Sequence, residues 1–221
     1  MAATKAEFGS GTLFKAAGTV YGVMVGSGLL VLTNVLVLAM PLLGPLAPLP
    51  LVLVGPAVVA ACYAFNRLMA GEDTGVFRDF RKSYRLNFLQ ALVVWLPYLA
   101  LLAVIAGNLM SLPGSNPETV AARVGLIGLA VLVSTAAFHA LVLLSRFSFR
   151  TVDIYRLSLF SLGSLKRVSL GNAGILFIAG FLLTTTSVWL LPFISGAVVY
   201  LICVNSRTLL KRVEQKFTLP A

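Results

Sequence analysis

Gly71 to Gln90 reads GEDTGVFRDFRKSYRLNFLQ and lies between two apolar runs, each long enough to cross a bilayer. It holds three of the seven acidic residues and four of the seventeen basic ones. Upstream, Ala16 to Asn66 carries no Asp, Glu, Lys or Arg. That run is too long for one span of about 20 residues and sufficient for two. Pro41, Gly44, Pro45, Pro48 and Pro50 mark the break, because proline removes a backbone donor and stops a helix. Spans over 19–40 and 50–66 follow.

Downstream, span three is expected over 88–110, with Pro97 inside it, and span four over 124–144. A second polar segment, Ser145 to Gly171, carries Arg146, Arg150, Asp153, Arg156, Lys166 and Arg167. Asn172 to Ser206 is again free of charge. It fits two short spans, 172–190 and 192–206, with a tight hairpin near Leu191-Pro192-Phe193. Sorting the basic residues decides between one span and two there. With six spans, sixteen Lys and Arg fall on one side and only Arg123 on the other. Basic residues gather in cytoplasmic loops. The expected fold is therefore an all-α membrane protein of six transmembrane helices. It forms a single polytopic domain over 1–221, with both termini cytoplasmic and interfacial cytoplasmic segments.

Composition agrees. The chain is 59% hydrophobic and 11% charged, with mean hydropathy +0.97. A soluble domain is about half apolar and a quarter charged. The net charge of +10 suits anionic lipid headgroups at the cytoplasmic face, and no nucleic-acid motif accompanies it. Cys62 and Cys203 fall near basic span ends and imply no disulfide framework. The first apolar run is too long for a cleaved signal and reads as a retained anchor.

As a helix, Asp73 to Phe88 places Phe77, Phe80, Tyr84 and Phe88 on one face, with Arg78, Arg81, Lys82 and Arg85 on others. Aromatics beside cations describe a helix lying in the headgroup layer, with Asp73 suited to cap its start. The candidate partner-docking residues are Phe77, Arg78, Asp79, Phe80, Tyr84 and Asn87. The plainer alternative is a connector that orients two spans. Ser145 to Gly171 reads as a second, less regular interfacial segment.

His139 is the only histidine and the only titratable group expected deep in a span. Such groups are functional candidates, but His139 has no acidic partner in the other spans. Asn34 and Thr184 to Thr186 are the other polar groups at depth, and helix–helix hydrogen bonds are their ordinary use. Gly22 and Gly26 have GxxxG spacing, which suits packing within the chain. Arg81-Lys82 before Asn87 is echoed by Lys166-Arg167 before Asn172, so a two-helix repeat is conceivable. No P-loop, dinucleotide fingerprint, HExxH or nucleophile elbow occurs. No metal, cofactor or catalytic residue is expected, and the chain is not expected to be an enzyme.

Gly55-Pro56-Ala57, Gly71-Glu72-Asp73, Val76-Phe77-Arg78-Asp79-Phe80, Lys82-Ser83-Tyr84 and Asn87-Phe88 resemble the YesL-like family of bacterial integral membrane proteins. Asn34 and Asn205-Ser206 fit the same pattern, and the likeness runs roughly from Tyr21 to Val213. The proline-rich segment between spans one and two looks longer than usual. The family's domain has no assigned function and supplies no catalytic residues. The resemblance implies a multi-pass protein of the bacterial plasma membrane, chiefly of Gram-positive type, whose genes often neighbour carbohydrate ABC transporter genes. It points to an accessory role with ABC transporter subunits as partners. The alternatives are a small-solute transporter or channel in its own right and a membrane assembly or stability factor.

Overall fold

The computed structural model describes residues 12–38, 49–72, 74–114, 116–185 and 191–217, with backbone alone for a few positions at element ends. The described elements are α1 (Thr12–Thr33), α2 (Val35–Leu38), a 3-10 turn (Leu49–Leu53), α3 (Val54–Ala70), α4 (Val76–Ser111), α5 (Pro117–Arg146), α6 (Thr151–Ser164), α7 (Lys166–Thr185), α8 (Leu191–Asn205) and α9 (Arg207–Phe217). Asp73, most of the proline-rich break and the turn between α7 and α8 lie outside the described residues. Four helices, α1, α3, α4 and α5, are long and apolar enough to cross a membrane, and a fifth span is possible if α6 and α7 count as one bent unit. The protein is a multi-pass helical membrane protein by length and composition.

α3 is the axis of the bundle. Gly55 through Cys62, Ala64 and Phe65 are buried almost all the way round. Its small residues, Gly55, Ala57, Ala60, Ala61 and Ala64, let neighbouring backbones approach, which is how helices associate in lipid. Gly22 and Gly26 of α1 seat on Leu68 and Phe65 of α3, so the GxxxG pair packs within the chain. α3 ends on Gly71, whose φ of 72° is the left-handed conformation glycine adopts without strain. The Gly71 amide bonds Leu68 O and the Glu72 amide bonds Arg67 O, the paired Schellman arrangement that satisfies the last carbonyls.

α4 corrects one expectation. The charged stretch is not a separate helix lying flat: Val76–Ser111 is one continuous helix of 36 residues. No glycine or proline interrupts it before Pro97. At 1.5 Å per residue it is about 54 Å long, against a hydrocarbon core of about 30 Å. Arg85 is the last charge along it, and from Leu86 and Leu89 onward exposed apolar side chains face outward. Val76 to Arg85, about 15 Å, is therefore the charged base of the same helix.

Pro97 has no amide for the carbonyl of Val93, one turn back. Tyr155 of α6 takes that carbonyl: its hydroxyl donates to Val93 O at 2.8 Å, with Val94 O at 3.2 Å. Gln90 Nε2 donates to Phe149 O, and Tyr98 and Ser158 share a hydrogen bond at 2.8 Å. These bonds hold α6 against α4, and α6 meets α7 at a 99° bend. Part of the second polar segment is thus a cross-helix strapped to the bundle. Tyr155→Phe should cost about 1–2 kcal/mol in detergent unfolding, because the carbonyl that Pro97 leaves free loses this donor. In a Pro97→Ala background, where the helix regains its own bond, the same change should cost much less. A double-mutant cycle of unfolding midpoints checks this.

α7 and α8 are joined by an amide cluster. Asn205 Nδ2 donates to Val168 O and Asn172 Oδ1, both at 2.8 Å, and Asn172 Nδ2 donates to Ser206 Oγ at 3.0 Å. Among the described residues Asn87 bonds only Ser83 of its own helix, at 3.1 Å. The two basic-pair motifs therefore put their asparagines to different uses. Cys62 of α3 and Cys203 of α8 are buried, free and in side-chain contact.

Candidate functional site at the basic end

Several of the described cations meet at one end of the bundle. The C-terminal ends of α3, α5 and α8 meet the N-terminal ends of α4 and α7 there. Arg207 NH2 reaches Met69 O at 3.4 Å, and Arg212 NH1 reaches Ser164 O at 3.5 Å. Arg146 lies 3.8 Å from Glu214 of α9. At the opposite end Arg123 NH2 caps Leu112 O at 2.9 Å.

Arg67 and Asp79 organise the basic end. Arg67 is the first charge after the long uncharged run, and Asp79 lies in the first turn of α4, where a helix N-terminus favours a carboxylate. Arg67 Nε donates to Asp79 Oδ2 at 3.1 Å. Thr74 gives Asp79 two further bonds, from its amide at 3.2 Å and its hydroxyl at 2.7 Å. The carboxylate is 2% exposed and the guanidinium side chain 25%. Arg67 NH2 bonds Glu72 O, and its guanidinium carbon lies 5.8 Å from the centre of the Tyr63 ring. The pair thus locks the Gly71–Gly75 turn between α3 and α4.

Beside this lock is a cavity of about 160 Å³ lined by Tyr63, Asn66, Arg67, Glu72, Ser145 and Arg146. α3 and α5 supply its walls. Asn66 Nδ2 is buried with no hydrogen-bond partner among the described residues. A buried donor left unmade is costly, and such atoms are rare in native structures.

The six docking candidates do not share one face. Phe77 is 57% exposed, and Arg78 is exposed beside it. Asp79 and Phe80 are buried, which corrects their placement on a contact surface. Asp79 serves the lock, and Phe80 starts an aromatic row: Phe80 stacks on Tyr84 at 6.0 Å, and Tyr84 meets Phe88 at 5.4 Å. Tyr84 and Asn87 are half-buried. The cause is α4 itself: as the wall of a bundle, it turns that aromatic face to its neighbours.

Asn34 lies at the break between α1 and α2. Its Nδ2 bonds Leu30 O at 2.9 Å, within its own helix, and its Oδ1 is buried without a partner among the described residues. His139 is fully buried on α5, its Nδ1 3.0 Å from Ser161 Oγ of α6. Ser161 in turn donates to Ser158 O at 2.7 Å, and Ser169 of α7 donates to Ser161 O at 3.3 Å. His139 therefore fastens the cross-helix. Thr185 Oγ1 bonds back to Phe181 O at 3.1 Å, while Thr186 and the Thr184 side chain lie outside the described residues. No group of three His, Cys, Asp or Glu able to hold a metal occurs among the described residues.

The lock, the turn and the exposed base of α4 all fall in one continuous segment, and that segment carries the family match. Residues 29–109 match the family described as protein of unknown function, DUF624. YesL-like proteins belong to DUF624, in agreement with the resemblance. The DUF624 match is narrower than that resemblance. It contains Asn34, Arg67, Asp79 and the whole docking set, and it ends before His139, Ser145 and Arg146. No curated protein and no solved structure matches the chain.

Arg67, Asn66 and Arg146 were not singled out in the sequence. Arg67 was legible as the first charge to follow a long apolar run. Pairing it with Asp79, or bringing Arg146 alongside, required the fold.

Proposed function

We propose that this chain is a non-enzymatic six-span protein of the bacterial plasma membrane, with both termini and the basic end in the cytoplasm. On this reading, that end docks onto ABC transporter subunits and assists carbohydrate uptake. The supporting observation is the geometry of α4. One side of its base is packed into the bundle and fastened by the Arg67–Asp79 lock, and the other presents Phe77, Arg78, Arg81, Lys82 and Arg85 as an exposed post. An exposed aromatic flanked by arginines is the kind of anchor that carries binding energy at interfaces. Carbohydrate transport as the setting rests on the family resemblance.

Affinity purification in mild detergent at native expression tests this. Transporter subunits should be recovered with the wild-type chain, and Phe77→Ala with Arg78→Ala should reduce recovery about tenfold or more, the effect of losing one hot-spot residue. Recovery of the chain alone, or equal recovery by the double variant, contradicts the reading.

The buried polar set of Tyr98, His139, Ser158 and Ser161 favours a second reading, transport by the chain itself. It places an ionisable ring whose Nε2 lacks a partner among the described residues inside the apolar region. Against it, α3 fills the bundle axis with close-packed apolar side chains. Uptake by reconstituted protein that is lost in His139→Ala would favour transport.

A further inference from the structure

The cavity at the basic end brings two guanidiniums and a buried amide donor together with one wall carboxylate, Glu72. Arg67 presents the outer edge of its guanidinium: Asp79 engages Nε from behind, while NH1 and NH2 lie with Tyr63 and Glu72, both wall residues. Arg146 enters from another helix. Its 3.8 Å approach to Glu214 joins side chains 44% and 53% exposed, so it is held loosely enough to turn. Asn66 adds a buried amide donor with no partner among the described residues, and the Tyr63 and Ser145 hydroxyls complete the wall. Asp79 already pairs with Arg67, so Arg146 is the guanidinium that can leave its exposed partner and face an anion. A water needs about 10–15 Å³, so about 160 Å³ is room for a much larger group.

We propose that this cavity binds a phosphate group. A tetrahedral anion accepts from donors converging on it from several sides, and guanidinium is the donor best matched to phosphate oxygens. Arg67 and Arg146 hold the anion from opposite helices, and Asn66 donates where it now has no acceptor. The Arg67–Asp79 lock keeps one wall in place, so the site is formed before the ligand arrives. The same phosphate can come from a phospholipid headgroup reaching in from the bilayer or from a soluble phosphate. The site does not depend on transporter docking, since no exposed residue of the α4 post lines it.

The test uses the purified, delipidated full-length chain in detergent, with two probes. One is phosphatidylglycerol, compared by native mass spectrometry with diacylglycerol of the same acyl chains. The other is inorganic phosphate, compared with chloride at equal ionic strength by its shift of the thermal unfolding midpoint. A retained phosphatidylglycerol adduct without a phosphate shift assigns the site to a lipid headgroup, and a phosphate shift assigns it to a soluble anion. Arg146→Gln should weaken whichever binding is seen by about tenfold, the loss of one charge-assisted contact. Arg78→Gln, the same charge change on the α4 post, should leave it intact. Asn66→Leu should bind more weakly and yet unfold at a higher temperature without ligand, because it removes an orphan donor; a purely structural asparagine would not separate the two readouts. Failure of both probes overturns the proposal, as does equal weakening by Arg146→Gln and Arg78→Gln, which would mean diffuse attraction to a basic surface.

Discussion

Arg67→Met should abolish most of the folded protein in the membrane, Asp79→Leu should do less harm, and the double variant should recover much of the loss. The asymmetry comes from exposure. Asp79 is 2% exposed and Arg67 25%. Removing the arginine strands a carboxylate that water cannot reach, with only the two Thr74 bonds left. Removing the carboxylate frees a guanidinium that can turn toward solvent and retains its bond to Glu72 O. Breaking one side of a buried pair is far worse than replacing both sides with apolar groups of similar volume. Folded yield after detergent extraction, by fluorescence-detected size exclusion, orders the three variants. Little loss in either single variant would mean that the pair is a surface contact without structural weight.

Gly196→Leu should separate α1 from α8. A Cβ added at Gly196 would stand 2.7 Å from the Ser27 Cα, with Ser27 Oγ closer still. Backbone cannot move aside as a flexible side chain can, so the helices must part. Overpacking of this kind costs about 1–3 kcal/mol or more. Close approach through small residues is the main source of helix association in lipid, where no hydrophobic force acts between helices. Gly196→Ala should already lower the unfolding midpoint, and Ser27→Gly should restore only part of it, because the Cα remains. Full rescue by Ser27→Gly would show that the Ser27 side chain, and not its backbone, makes the clash.

The long elements were legible because charge is expensive in lipid. Uncharged runs and basic span ends overlap α1, α3, α4, α5 and α7 but do not give their ends: α4 begins at Val76, twelve residues before the expected 88, and α1 at Thr12, seven before 19. Spacing within an element was less informative. Phe77, Phe80, Tyr84 and Phe88 have the period of a helix, and that period is right. It does not say whether the aromatic side meets headgroups or neighbouring helices. Phe80 is buried because α4 continues without interruption from its charged base into its span. α6 was hidden for a different reason: its hold on α4 depends on Tyr155 meeting the carbonyl that Pro97 leaves free, a contact between distant parts of the chain. Gln90 and the Phe149 carbonyl behave the same way. The cavity was illegible for the same cause, since Arg67 and Arg146 meet only once α3 and α5 pack.

The proposed function depends on which side of the membrane the basic end faces. Single cysteines at Arg78 and Val120 measure this in intact cells with a membrane-impermeant maleimide. The native Cys62 and Cys203 are buried and contribute little background. Arg78→Cys should label only after the membrane is opened, and Val120→Cys should label in intact cells. The reverse pattern would place the lock, the α4 post and the phosphate cavity outside the cell, and contradict the account.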